Sequence, residues 1–221
     1  MPLSYISLLS SKIDQISKPG LKAQLKMAPA LRFASDKTFL EVPENAKKAA
    51  VMMLLYPNKN NEWMFCLIQR TTYNGKHSGQ ISFPGGKKEQ QDNDFWTTAL
   101  RETEEEIGIR RSSVTLLTSL TPTYIPPSNF HVYPFLAYTS PMPKFSPELG
   151  EVEAVIEVKL KELLLKDAIK EGPMTTSYMK NTNVPMFIFN NNKVWGATAM
   201  ILSEARELIL SLPEFRSVIL D

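Results

Sequence analysis

The chain has 221 residues, 43% hydrophobic and 22% charged, with 25 Lys+Arg against 23 Asp+Glu and a net charge of +2. Such a length suits one domain with an appendage, and such a composition excludes wholesale disorder. A single cysteine, Cys66, excludes an internal disulfide framework, and the small net charge gives no whole-chain signal for nucleic acid or an anionic membrane.

No apolar run approaches the ~18 residues of a membrane span, and no basic segment followed by an apolar core opens the chain. The expectation is a cytoplasmic protein without a membrane partner. The charge is unevenly spread. Residues 1–48 hold eight Lys/Arg against four Asp/Glu, whereas residues 87–106 hold three against seven.

In chain order, Ile6, Leu9, Ile13 and Ile16 follow helical spacing until Pro19-Gly20, and a shorter helix runs from Leu21 to Met27. Residues 30–47 read as irregular. Residues 1–47 are therefore expected to form an N-terminal helical extension on a main domain of residues 48–221. Ala49 to Tyr56 and Trp63 to Arg70 read as strands, with Cys66 a small core residue. A glycine-rich loop follows, with Gly75, Gly79, Gly85 and Gly86 within twelve residues. Asp92 or Asp94 caps the next helix, Gly108 ends it, and Trp96, Leu100, Thr103 and Ile107 form its less polar stripe.

Val114 to Leu120, Val132 to Tyr138 and Val152 to Val158 read as strands, with a Pro-rich loop at residues 122–129. Leu160 to Ile169 reads as a short helix. Pro185 to Asn190 begins a hairpin through the Asn190-Asn191-Asn192 turn, and Thr198 to Leu212 is helical. Strands and helices alternate without a strict βαβ rhythm. The fold class is α/β (α+β), a mixed sheet sandwiched between helices.

Glu102, Glu105 and Glu106 stand at i, i+3 and i+4, so a helix presents them on one face. Arg101 is four residues before Glu105. Four glutamates crowd the C-terminal half of this helix, where the dipole disfavours carboxylates and like charges repel. A solvated acidic face is the plain alternative. A hard divalent cation, Mg²⁺ or Mn²⁺, would offset the repulsion, since it takes carboxylate and phosphate oxygens. The preceding Phe83-Pro84-Gly85-Gly86 supplies glycines whose backbone can approach a phosphate. There is no G-x-S-x-G elbow and no Cys/His spacing for zinc. His131 reads as a strand residue without a chemical role.

Together these residues resemble the Nudix hydrolase box, G-x5-E-x7-R-E-U-x-E-E-x-G-U, where U is a bulky apolar residue. Gly86, Arg101-Glu102, Glu105-Glu106 and Gly108-Ile109 match it. Asp92 stands for the first glutamate, eight residues rather than seven separate it from Arg101, and Thr103 replaces a bulkier residue. Upstream, Arg70, Thr71, Gly79 and Phe83 to Gly86 are similar to the signature of the coenzyme A pyrophosphatases of this family, whose second arginine falls on Gly75, beside Lys76. Pro122 to Ile125, Phe130 to Phe135 and Trp195 to Thr198 resemble the same subfamily.

The resemblance implies a Nudix fold and metal-dependent hydrolysis of a small-molecule diphosphate, coenzyme A or another nucleoside diphosphate derivative. It makes Glu102, Glu105 and Glu106 the metal ligands, with Arg101 orienting a neighbouring carboxylate. Substrate contacts are expected from Arg70, Lys76, His77, Gly79, Gly85 and Gly86. Glu102, Glu151 and Glu153 are candidate bases. A broader Nudix specificity, a non-catalytic nucleotide-binding module and homodimerisation remain open at this level.

Overall fold

The computed structural model describes residues 12–13, 15–29, 41–71, 79–176 and 179–220. Expectations for Ile6, Leu9, Gly75, Lys76 and His77 lie outside the described residues.

The central strand is β1 (Lys47–Pro57). It runs parallel to β7 (Phe130–Thr139) along one edge. Its other edge is divided. One end pairs antiparallel with β2 (Trp63–Arg70) and the other with β4 (Gly85–Lys87), which brings the Gly85-Gly86 loop into the sheet. β2 also pairs with β3 (Ile81–Ser82) and β8 (Val152–Lys159), and β7 with β5 (Val114–Ser119) and β6 (Thr123–Ile125). A separate antiparallel sheet holds β9 (Ile169–Thr176), β10 (Met179–Phe189) and β11 (Asn192–Trp195).

The apolar run of β1 has a direct cause: both faces of the strand are covered. Ala50, Met52, Leu54 and Tyr56 pack with Cys66 and Ile68 against Ala99 and Ile107 of α2 (Phe95–Ile107). The alternate residues Ala49, Met53 and Leu55 join Phe65, Leu67 and Leu202 in the core beneath α4 (Gly196–Leu210). The period of two in a strand sends successive side chains to opposite layers. Helices therefore cover both faces of a mixed sheet, as expected from the sequence.

The described part of the N-terminal extension packs on α4 through Gly20–Leu25. Within α1 (Gly20–Leu25), Gln24 is fully buried. Its Nε2 donates to Thr121 O and Glu204 Oε2, each at 2.7 Å, and its Oε1 accepts from Thr123 Oγ1 at 2.6 Å. Ile13, Met27 and Ala28 enter the main core. The remaining helices are α3 (Leu160–Leu164) and α5 (Pro213–Leu220). No helix among the described residues is long and apolar enough to cross a membrane.

Two differences from the sequence expectation have local causes. The helix expected from Leu160 to Ile169 stops at Leu164, and Ile169 instead opens β9. β9 borders only β10 in its sheet, and Pro173 is tolerated on such an edge. The glycine-rich loop contains β3 and β4, strands too short and glycine-rich to show an apolar period.

Candidate active site

Helix α2 begins at Asp94, whose side chain accepts from the Thr97 amide at 2.7 Å, so Asp94 rather than Asp92 is the cap. The helix ends at Gly108 in the left-handed conformation. Residues beyond it satisfy its last carbonyls, Ser146 N donating to Ile107 O and Glu148 N to Glu106 O, both at 3.0 Å. Thr103, where the family box has a bulkier residue, is fully buried and turns its hydroxyl to Met52 Sδ at 3.7 Å.

Asp92 lies under the helix, nearly inaccessible to solvent. It accepts from Arg101 Nε and Nη2, from Thr98 Oγ1 at 3.0 Å and from the Glu89 amide at 2.9 Å. The Arg101 guanidinium holds its carboxyl well below the usual carboxylate range. Arg101, itself buried, spends its other donors on Lys87 O at 3.0 Å and on Glu102 Oε1 and Glu105 Oε2, each at 2.8 Å. Asp92, followed by Glu102 and Glu105, raises the guanidinium's affinity for its proton. Arg101 thus ties the loop, Asp92 and two of the three expected ligands into one rigid fork. The expected orienting arginine sits beside those carboxylates. The sequence offers Asp92 only as a possible cap and as the counterpart of the box's first glutamate; its pairing with Arg101 is not legible, because that partner lies nine residues on and an insertion breaks the box spacing.

Glu106 is 1% exposed. Its Oε1 accepts from Arg70 Nη1 at 2.8 Å and its Oε2 from the Gly85 amide at 2.7 Å. Burial pushes its carboxyl up to about 7; Arg70 and the Gly85 amide pull against that, and the charge of Glu102 adds to it. Burial also raises Glu102, opposed by Arg101 and reinforced by the charges of Glu105 and Glu151. Glu105 is the exposed member of the three.

The loop fits closely around these carboxylates. Gly85 has φ +145°, and a Cβ there would sit 2.3 Å from Ala50 O and 2.6 Å from Val51 Cα. A Cβ on Gly86 would lie 2.4 Å from Glu102 Oε2. Glycine at both places lets the loop backbone enter the sheet edge and lie against the Glu102 carboxylate.

Among the described residues, no three His, Cys, Asp or Glu side chains converge closely enough to hold a metal ion. Arg101 draws Glu102 and Glu105 one way, and Arg70 with Gly85 draws Glu106 another. The donor set nevertheless suits a hard divalent cation. It is all carboxylate, and two of its members are disfavoured as anions by burial and by one another. A cation would relieve both effects.

Beside the loop lies a cavity of about 330 Å³, and Arg70, Gly85 and Gly86 line it. Gly79 does not; it is exposed, and its amide donates to Thr71 O. Ile125, Phe130, Trp195 and Thr198 also line the cavity. Their resemblance to one subfamily was the only signal in the sequence for a site role. Of the other candidate bases, Glu151 is exposed with Oε2 4.0 Å from Arg70 Nη2, and Glu153 is exposed and accepts from Gln69 at 2.9 Å. Cys66 is fully buried, and burial pushes its thiol up to about 12, which suits a core residue and not a nucleophile.

A family model described as NUDIX domain matches residues 46–178. The chain is 34% identical over 173 residues to "Nudix hydrolase 15, mitochondrial" of Arabidopsis thaliana, covering 76% of this chain and 60% of that protein. It is 31% identical over 163 residues to "Mitochondrial coenzyme A diphosphatase NUDT8" of Homo sapiens, covering 73% of this chain and 69% of that protein. The fold resembles that of a MutT/nudix family protein from Enterococcus faecalis, with a TM-score of 0.53 at 18% identity, over 86% of this chain and 73% of that one.

Proposed function

The chain belongs to the Nudix family, and from that premise we propose that it is a metal-dependent diphosphate hydrolase. Its substrate in this reading is coenzyme A or a derivative, and the products are 3′,5′-ADP and 4′-phosphopantetheine. The observation that carries the reaction type is the acidic face of α2, with Glu106 fixed against the Gly85 amide where the loop borders the cavity.

Glu102, Glu105 and Glu106 would hold Mg²⁺ or Mn²⁺. The bound ion supplies charge neutralisation on phosphate oxygens and a lowered pKa for water. Arg101 orients Glu102 and Glu105, and its bonds leave no donor for substrate. Arg70 and the Gly85-Gly86 backbone meet the diphosphate. Water adds its oxygen to one phosphorus, and the bridging oxygen leaves on the other phosphate. The water proton passes to a carboxylate. Glu102 is the first candidate, because burial raises its affinity for a proton and it lies against the loop; Glu151 is the second.

Coenzyme A is favoured by Arg70, Thr71, Gly79 and Phe83 to Gly86, and by the likeness to the human coenzyme A diphosphatase. The glycine at position 75, where the coenzyme A pattern has an arginine, favours a second reading: a Nudix hydrolase of broader specificity for nucleoside diphosphate derivatives. The test is a panel of coenzyme A, nucleotide sugars and dinucleoside polyphosphates with Mg²⁺ and product identification. Release of 3′,5′-ADP from coenzyme A at the highest kcat/KM is the expected result. Faster turnover of another member selects the second reading.

A further inference from the structure

The cavity beside the glycine loop is chemically lopsided. Among the described residues its only ionisable side chains are Arg70, bonded to Glu106, and Lys87, next to Gly86 on β4. Both stand at the carboxylate end. The walls beyond are Val51, Ile125, Phe130, Val132, Trp195 and Ile201. Neutral polar groups also line this space, among them Gln80, Ser128 and Thr198. The first turn of α4, at Gly196 to Thr198, follows Trp195 without a side-chain cap. The Ser82 hydroxyl is buried and has no hydrogen-bond partner among the described residues.

We propose that this cavity receives the uncharged, thiol-terminated arm of coenzyme A, and that the 3′-phosphoadenosine half stays outside it. The inference rests on the coenzyme A reading and adds which half of the substrate the protein encloses. The two halves make opposite demands. The adenosine half carries a phosphate monoester of charge about −1.5 to −2 at neutral pH. Enclosing it needs paired cations, and among the described residues the cations that line this cavity stand beside the carboxylates.

The arm has no charge. Its methyl and methylene groups suit the apolar walls, at roughly 25 cal/mol for each Å² removed from water. Its amide carbonyls accept from the first-turn N–H groups of α4, which a side-chain cap would otherwise occupy. A volume of about 330 Å³ falls within the range of small-molecule sites. Phe130, Trp195 and Ala197 then become specificity-determining residues.

The experiment is product inhibition of coenzyme A hydrolysis by the full chain with Mg²⁺, using 4′-phosphopantetheine and 3′,5′-ADP separately. The variant is Ala197→Leu, which narrows the cavity with a good helix former. Its KM for coenzyme A and its Ki for 4′-phosphopantetheine should rise about tenfold. Its Ki for 3′,5′-ADP should stay within about twofold.

A selective rise for 3′,5′-ADP, an equal change for both products, or no change for either overturns the proposal. Phe130→Ala, which widens the same cavity, repeats the test should Ala197→Leu fail to fold; it should weaken 4′-phosphopantetheine inhibition selectively. Absence of coenzyme A turnover by the unaltered chain, beside clear turnover of another diphosphate, overturns the underlying reading and this inference with it.

Discussion

Two glutamates among the described residues are almost wholly buried on opposite sides of the sheet, Glu106 on α2 and Glu204 on α4, and their surroundings differ in kind. Glu204 accepts from Gln24 Nε2 at 2.7 Å, Thr121 Oγ1 at 2.7 Å and the Thr121 amide at 3.0 Å, all neutral donors, and it fastens the front segment to α4. Glu106 borders the loop, faces Arg70, and shares its helix face with Glu102 and Glu105. Burial alone therefore does not mark a functional carboxylate in this chain. The accumulation of like charge, held by arginines at the edge of a cavity, separates the site from the clamp.

The largest expected effect falls on the fork beneath the site. Arg101→Ala leaves the buried Asp92 unpaired and should cost about 3–5 kcal/mol of stability by denaturant unfolding, with activity lost as well. A loss under 1 kcal/mol would mean that Asp92 is not anchored there. Glu106→Gln keeps the shape and changes the charge. Its kcat should fall at least about 100-fold, the upper end of what groups supporting a metal site cost, with little change in Tm.

Glu204→Ala should do the reverse. It strands the Thr121 and Gln24 donors and should cost about 1–3 kcal/mol while leaving kcat/KM near its original value. A kcat collapse in Glu204→Ala would erase the distinction between the two carboxylates.

The smallest effect is acid sensitivity. Asp92 is depressed in the folded chain, so its contribution is fully present above the unfolded value of about 3.9 and fades as pH falls toward the folded one. Stability should therefore drop below about pH 4, and Asp92→Asn should show a lower but flatter profile. Parallel profiles for the two proteins would refute that assignment.

The legible parts of the sequence are those governed by local periods. β1, β2, β7 and β8 announce themselves as apolar runs because both of their faces, or one face throughout, meet a packed layer. The spacing of Arg101, Glu102, Glu105 and Glu106 places the acidic face without any structure. Contacts between distant segments were not legible. Gln24 meets Glu204 across 180 positions, and the cavity joins β1, β6, β7 and the start of α4. β9 was hidden by Gly172 and Pro173, which an edge strand accepts and a strand pattern does not predict.

The central claim is that the α2 carboxylates are a seat for a divalent cation, and thermal unfolding with and without Mn²⁺ tests it most directly. A cation that binds only the folded chain must raise its Tm. Mn²⁺ should raise the Tm of the unaltered chain and of Glu204→Ala, and chelation should reverse the rise. Glu106→Gln should show no such shift. A rise of equal size in Glu106→Gln, or none in the unaltered chain, would contradict the assignment.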